Sequence, residues 1–412
     1  MNNFQVILLA GGKGERMWPL TVCKSLIHFA GKPIIRYIFD DLKAAGCRDF
    51  KIITDKKYLD SMEAEFRTEK VKINFYTQKN IPGMAGAVLS IPDLGSMPTI
   101  IVNPEDLVDP QTYVDFLRHC QKTESQIILT GIYKKEYFLG GYFVLKGKKI
   151  VRIIEKPLKG SQPSNFVNLV LHYFKNPQLF ISYLRRVKSQ KDDVYEVALD
   201  QMIKENVTVE MFEYKDYWQT IKYPWDILEM MKLVFIERFE EKIDKSAQIS
   251  SKAIIKDKVV VESGVKIMEG ACITGPCYIG RNSIIGNNSL VREANIGNSC
   301  VVGFSSEIAR SWIGSGCWFH TNYVGDSVLE ENIFLGSGAV TANFRFDQSE
   351  IFVKKDKEKI NTKKIKLGSI IGKNARIGVN VSLMPGILVG GNSWVGSGVV
   401  LDKNLEENTK WF

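Results

Sequence analysis

The sequence predicts an α/β, Rossmann-like domain followed by a left-handed parallel β-helix of hexapeptide repeats, and three observations carry that expectation. Short β-type runs alternate with amphipathic stretches between Phe4 and Ile221, branched apolar residues recur every six positions after Asp244, and glycine follows many of those residues. At 412 residues the chain is longer than a single core usually supports. Two domains are therefore expected, at 1–223 and 244–412, joined by a helix at 224–243.

In the first domain the β-type runs are 5–10, 50–54, 72–76, 99–102 and 126–129, separated by candidate helices such as 33–45 and 110–121. Alternation of this kind predicts a mostly parallel sheet with helices on both faces. Residues 224–241 (PWDILEMMKLVFIERFEE) read as one long helix, with Pro224 near its first turn and apolar residues at helical spacing.

The six-residue repeat runs through Ile249, Ile255, Val261, Ile267, Ile273, Ile279, Ile285 and Val291. It slips by one at Ile296, continues through Val302 and Ile308, and returns as Ile371, Ile377, Leu383, Val389, Val395 and Leu401. That period fits neither an α-helix nor an isolated strand, but it fits a β-helix whose flat faces each take one hexapeptide. The branched residue points inward and stacks on its equivalents, and the following glycine relieves the backbone at the corner, as in Ile279-Gly280 or Val302-Gly303. The period breaks at 341–367, which must be an excursion from the helix.

Composition narrows the function. The seven cysteines are scattered, with no CxxC pair for zinc or redox chemistry, which fits a reduced cytoplasm. The first apolar run, 6–10, stops at Gly11-Gly12-Lys13, too short for a signal peptide, and no later run approaches a membrane span, so a soluble protein without a membrane partner is expected. The formal charge of +9 comes from bases interspersed with acids and without an aromatic-basic RNA motif, so small phosphorylated ligands are expected rather than nucleic acid.

The strand Leu8-Leu9-Ala10 runs into the glycine-rich turn Gly11-Gly12-Lys13-Gly14-Glu15-Arg16, with Lys24 shortly after. The glycines Gly11, Gly12 and Gly14 let backbone N–H groups approach a phosphate chain that Arg16 and Lys24 can neutralise. The turn is neither a P-loop nor a dinucleotide fingerprint. Together with Lys24-Ser25-Leu26 and Phe29-Ala30-Gly31-Lys32-Pro33, it resembles the opening signature of the sugar-1-phosphate nucleotidylyltransferases. The likeness continues through 78–87 (QKNIPGMAGA, with Gln78 and Gly83) as the base-binding segment, Asp106 as the metal ligand, and Glu155-Lys156-Pro157 with Asn168 as the sugar pocket. It implies that a sugar phosphate attacks the α-phosphate of a nucleoside triphosphate with Mg2+ present, Arg16 meeting the leaving phosphates and Lys24 the α-phosphate.

The chain departs from that family at Trp218-Gln219-Thr220-Ile221-Lys222, where the family closes with Trp-x-Asp-Ile-Gly and its Asp is the second metal ligand. Thr220 is no carboxylate and Lys222 adds a positive charge, which implies weaker Mg2+ and reduced nucleotidyl transfer. Glu105 replaces the glycine before Asp106, and Leu169-Val170 brings bulk beside the sugar pocket. Trp18 and Trp225 read as core.

In the repeat domain, 302–346 is similar to the acetyltransferase half of the bifunctional nucleotidylyltransferase/acetyltransferases that make activated N-acetylglucosamine, particularly their archaeal form. Thr362 to Gly372 and Pro385-Gly386 extend the likeness. The resemblance implies acetyl-CoA as acetyl donor, His320 as general base, Tyr323 and Asn343 at the amino sugar, and a homotrimer. Imidazole suits the role because the attacking amine must be neutral and must lose a proton as it attacks. The other three histidines, His28, His119 and His172, read as core.

The excursion 345–366 holds eight Lys/Arg against four Asp/Glu. It is either a solvated surface loop or a set of lysines that meets the phosphates of coenzyme A. The whole chain reads as an amino-sugar-1-phosphate acetyltransferase joined to a nucleotidylyltransferase domain of reduced or lost activity. The alternative is a regulatory or scaffold protein that binds a sugar nucleotide without turnover.

Overall fold

Gln5–Ala10 is buried along its whole length, as befits a central strand covered on both faces. In the computed structural model, which describes residues 4–12, 14–79, 83–147, 149–189, 191–355 and 358–412, it lies inside a nine-stranded sheet. It pairs in parallel with Asp49–Thr54 and with Thr99–Val102, and Asp49–Thr54 pairs in parallel with Lys72–Thr77. The sheet then changes character. Phe166–Phe174 runs antiparallel to Thr99–Val102, to Ile127–Tyr133 and to Gly141–Lys146. Lys149–Glu155 returns antiparallel on Gly141–Lys146, because Gly147 at φ 63° turns the chain straight back and leaves no length for a crossover helix.

Two of the helices begin where the sequence places caps. Asp109 accepts the N–H of Gln111 (2.8 Å) ahead of Pro110–Lys122, and Asn176 accepts those of Gln178 and Leu179 ahead of Pro177–Arg186. Each has proline at its first turn, where no N–H is needed.

By its contacts the chain divides into two compact units, one holding residues 1–13 with Ile34–Gln219, the other Gly14–Pro33 with Thr220–Phe412. In the second, three parallel sheets of eight, nine and eight strands form the faces of a β-helix, consistent with a left-handed one. The inward column is buried as the repeat requires: Val261, Ile279, Ile285, Ile296, Val302, Ile308, Ile371 and Val389 are all at 0% exposure. At several corners the neighbouring coil leaves no room for a side chain. A Cβ on Gly280 would come within 2.6 Å of the Gly297 backbone, and one on Gly297 within 2.6 Å of Gly314.

The coil shortens toward the middle, from 18 residues between the paired Ile267 and Ile285 to 16 between Phe319 and Leu335. The excursion is an antiparallel hairpin of Phe352–Lys355 and Glu358–Asn361, with Ile351 and Val353 buried and Lys354, Lys359, Lys363 and Lys366 exposed. The expected long helix is shorter than the apolar pattern, Asp226–Glu237. Its last turn carries no base, and Glu237, Glu240 and Glu241 crowd negative charge onto the negative end of the helix dipole. No helix among the described residues is long and apolar enough to cross a membrane.

Candidate functional site

The register of one β-helix face aligns Ile285, Val302, Phe319, Leu335, Ile377 and Val395 in successive coils. The next residue in each coil forms a corner column: Gly286, Gly303, His320, Gly336, Gly378 and Gly396. His320 is thus an exposed imidazole at a position that is glycine in the coils on either side. Its backbone is held firmly. The Ser306 hydroxyl donates to the His320 carbonyl (2.9 Å), and the His320 N–H donates to the Asn322 amide oxygen (2.7 Å). Asn322, itself buried, anchors its amide nitrogen on the carbonyls of Gly336 (2.8 Å) and Ala339 (2.9 Å).

The strand Tyr323–Gly325 leads from that corner to the next. Tyr323 projects outward between Glu307 and Val340 of the flanking coils. Asn343 donates from its amide nitrogen to the Tyr323 hydroxyl (3.1 Å) and to the Asp326 carboxylate. Gly325 makes room for this: a Cβ there would sit 2.5 Å from the Tyr323 hydroxyl and 2.8 Å from the Asn343 amide. Asp326 is in turn gripped by both arms of the Arg310 guanidinium, each at 2.7 Å, and that ion pair raises the Arg310 pKa.

Tyr323, Asn343, Asp326 and Arg310 therefore form one hydrogen-bonded cluster. His320 stands three residues before Tyr323, at the corner that precedes that strand. Among the described residues the His320 ring makes no hydrogen bond, and the residue is exposed. The arrangement presents an exposed imidazole at one corner and a cluster of hydrogen-bonding polar groups across the face. Arg310 and Asp326 carry no role in the sequence reading. Their signal is a second corner column, Glu293, Arg310, Asp326 and Asn343, set by the pairing of Arg292 with Ala309, of Ala309 with Gly325 and of Val324 with Thr341.

In the first unit the expected nucleotide residues converge. A Cβ on Gly11 would lie 2.3 Å from Gln78 Oε1, and the Gln78 amide donates to the Gly83 carbonyl (3.0 Å). Gly12 adopts φ 134°, open only to glycine. Lys13 of the turn, 80–82 of the segment 78–87, and 356–357 of the basic stretch lie outside the described residues. Asp106 is buried and accepts the Asn103 amide (2.9 Å) on one carboxylate oxygen.

The expected sugar residues also gather. Glu155 pairs with Lys156 (3.2 Å), and a Cβ on Gly141 would meet Glu155 Oε2 at 3.0 Å and Asn168 Cβ at 3.4 Å. Asn168 is held by His172 (2.8 Å), which bonds the Tyr195 hydroxyl (2.9 Å) through its other nitrogen. Burial pushes the His172 pKa down to about 3, so the ring is neutral. The next residue, Glu196, is buried, and burial together with the nearby Glu155 charge pushes its carboxyl up to about 8. Leu169 turns into the core.

Gly14, Arg16 and Lys24 belong to the second unit. Gly14 takes φ 63° ahead of a 3-10 turn, Arg16 is exposed, and Lys24 opens a second 3-10 turn. Two core expectations fail. Trp18 is only half-buried whereas Trp225 is buried, and of the three histidines only His172 is core. His28 is exposed because it alternates with buried Phe29 in a two-residue strand, and His119, half-buried, reaches Glu210 at 3.0 Å.

Comparison with known proteins agrees with both halves. The sequence pattern of the nucleotidyl transferase family matches residues 5–234, and that of the bacterial transferase hexapeptide (six repeats) matches 258–293. The chain is 32% identical over 410 residues to the bifunctional protein GlmU of Methanocaldococcus jannaschii, covering 98% of this chain and 96% of that one. It is 31% identical over 422 residues to the bifunctional sugar-1-phosphate nucleotidylyltransferase/acetyltransferase of Sulfurisphaera tokodaii, covering 97% and 98%. A Bacillus anthracis crystal structure assigned as a glucose-1-phosphate thymidylyltransferase superposes with a TM-score of 0.50 at 17% identity, over 56% of this chain and 94% of that one, a likeness of fold alone. With full-length relatives above 30% identity and both halves matched in order, the chain belongs to the family of bifunctional sugar-1-phosphate nucleotidylyltransferase/acetyltransferases, enzymes of the transferase class.

Proposed function

We propose that the chain acetylates the amine of an amino-sugar 1-phosphate with acetyl-CoA, using the face between His320 and Asn343. The observation that carries this reading is an outward imidazole at a corner that is otherwise glycine, beside the cluster of Tyr323, Asn343 and Asp326. His320 takes a proton from the amine as the nitrogen attacks the thioester carbonyl carbon. The C–S bond breaks, the coenzyme A sulfur leaves and is protonated, and an amide remains. Tyr323, whose oxygen already accepts from Asn343, keeps its own proton to donate to a sugar hydroxyl. Asp326, fixed by Arg310, holds the Asn343 amide in place. Rigid coils keep these groups oriented, and orientation supplies much of the rate. The lysines of the hairpin are the candidates for the coenzyme A phosphates.

For the first half we propose binding of a nucleoside triphosphate and a sugar phosphate, with nucleotidyl transfer reduced. Mg2+, when bound, supplies charge neutralisation on the triphosphate, and Asp106 would hold it. The described residues contain no group of three or more His, Cys, Asp or Glu suited to a metal, so the donor set fits an ion held chiefly by substrate phosphates. Cytoplasmic location and a homotrimer complete the proposal. The test is acetyl-CoA turnover with glucosamine 1-phosphate, run beside pyrophosphate release from each nucleoside triphosphate with Mg2+. Absence of acetyl transfer to any amino-sugar phosphate would leave the scaffold reading.

A further inference from the structure

The segment Gly14–Pro33 contains two 3-10 turns and a pair of two-residue strands, and no longer element of its own. Such a stretch cannot fix its own shape. In the second unit its main chain is instead held by side chains on one outer face of the β-helix, coil by coil. The face stacks Tyr278, Asn295, Trp312 and Val328 in register, followed by Ile370.

Ascending the coils, the contacts descend the segment in order. The Tyr278 hydroxyl lies 2.5 Å from where a Cβ of Gly31 would stand, a contact possible only because glycine has no side chain, and Gly31 also takes φ 79°. The Asn295 amide oxygen accepts the Ala30 N–H (2.9 Å), and the Trp312 indole donates to the His28 carbonyl (2.7 Å). The Glu330 carboxylate accepts both the N–H and the hydroxyl of Thr21, each at 2.9 Å. One coil further, the Pro19 carbonyl sits 2.6 Å from a Cβ position on Gly372. Lys355 of the hairpin donates to the Glu15 carbonyl.

Outward positions of a hexapeptide face are ordinarily solvated, yet Tyr278, Asn295 and Trp312 are buried, as is Glu330, which stands at a corner that is glycine in the flanking coils (Gly314 and Gly372). A buried carboxylate is costly unless its oxygens are occupied. Among the described residues, Glu330 meets that condition through this segment and the Lys373 N–H (2.8 Å).

We infer that Glu330, Asn295 and Trp312 are positioning residues for nucleotide binding: the hexapeptide coils serve as the template on which Gly14–Pro33, carrying Arg16 and Lys24, takes its shape. The inference rests on the proposed nucleotide-binding reading of Arg16 and Lys24. Neither Glu330 nor Thr21 belongs to the acetyl-transfer cluster. Glu330→Gln keeps an oxygen for the coil's own Lys373 contact while weakening the charged bonds to Thr21, and Thr21→Val leaves the β-helix untouched.

The test is hydrogen exchange of the full-length protein together with calorimetric binding of each nucleoside triphosphate, and acetyl-transfer rate as the control. In both variants, exchange across Gly14–Pro33 should accelerate tenfold or more, as expected when a charge-assisted bond is lost, nucleotide affinity should fall about tenfold, and acetyl transfer should stay within about twofold. Unchanged exchange, or faster exchange with unaltered nucleotide affinity, overturns the inference while leaving the nucleotide reading intact. A wild-type protein that binds no nucleoside triphosphate overturns the nucleotide reading itself, and the positioning role with it.

Discussion

His320→Ala separates chemistry from stability more cleanly than any other change at the proposed acetyl-transfer face. The ring is exposed, makes no hydrogen bond among the described residues, and occupies a corner where Gly303 and Gly336 already do without a side chain. Surface truncations of this kind shift stability by no more than about 0.5 kcal/mol. The backbone bonds from Ser306 and to Asn322 survive because they involve only the main chain of residue 320. Loss of a general base, in contrast, costs on the order of 10²–10⁴ in rate, or about 2.7–5.5 kcal/mol of transition-state stabilisation. The assay is thiol release from acetyl-CoA at saturating amino-sugar phosphate, beside a thermal melt and a check of assembly. The expected result is a kcat lower by that range, an unchanged melt and little change in acetyl-CoA binding. An undiminished kcat in a correctly assembled variant would refute the assignment and make His320 a corner residue without chemistry.

Thr220→Asp should tighten Mg2+ binding and speed pyrophosphate release; if wild type runs at the same rate as the variant, a missing ligand is not what limits the domain. Glu196 should make stability fall as pH rises. Its folded pKa of about 8 stands above the ordinary 4.5, so the folded protein keeps a proton that the unfolded chain loses across that window, at a cost of at most about 1.4 kcal/mol per pH unit. Glu196→Gln removes this slope, and its melting temperature should gain on wild type far more at pH 8 than at pH 5; a pH-independent difference would rule out the buried carboxyl as the cause. Sedimentation at micromolar concentration should show a trimer, and a monomer there would end the proposal of threefold assembly.

The six-residue period was readable because every rung repeats the same steric demand, so Val261, Ile279 and Val302 announce one another in the sequence. The corner glycines were readable for the same reason, and they make His320 conspicuous once the columns are aligned. The hydrogen-bonded partners of Asn343 were not. Arg310 and Asp326 sit in the left-handed region at φ 48° and fall into one column with Asn343 only once the strand register is known. The placement of Gly14–Pro33 was equally hidden. Asn295 and Trp312 look like ordinary outward residues of a repeat, Glu330 replaces a corner glycine without naming its partner, and a hydrogen bond spanning 309 positions, as between Thr21 and Glu330, leaves no local pattern. The antiparallel strands at Gly141–Lys146 and Lys149–Glu155 escaped because their turn hinges on one glycine, Gly147, rather than on periodicity.

The corner column Glu293, Arg310, Asp326 and Asn343 makes the β-helix a ruler with fixed graduations. Each coil advances a side chain along the axis by one strand spacing, about 4.8 Å, and no intermediate station exists. A group in the site can therefore be changed in identity at its rung but not slid toward a larger sugar. Accommodating a substrate longer by less than one graduation must come from elements off the ruler, and the hairpin of Phe352–Lys355 and Glu358–Asn361, inserted between one rung and the next, is the part of this unit free to supply fractional distances. Substrate range in such a protein should evolve by swapping rungs or reshaping the insertion, while the spacing of the groups proposed for catalysis stays constant.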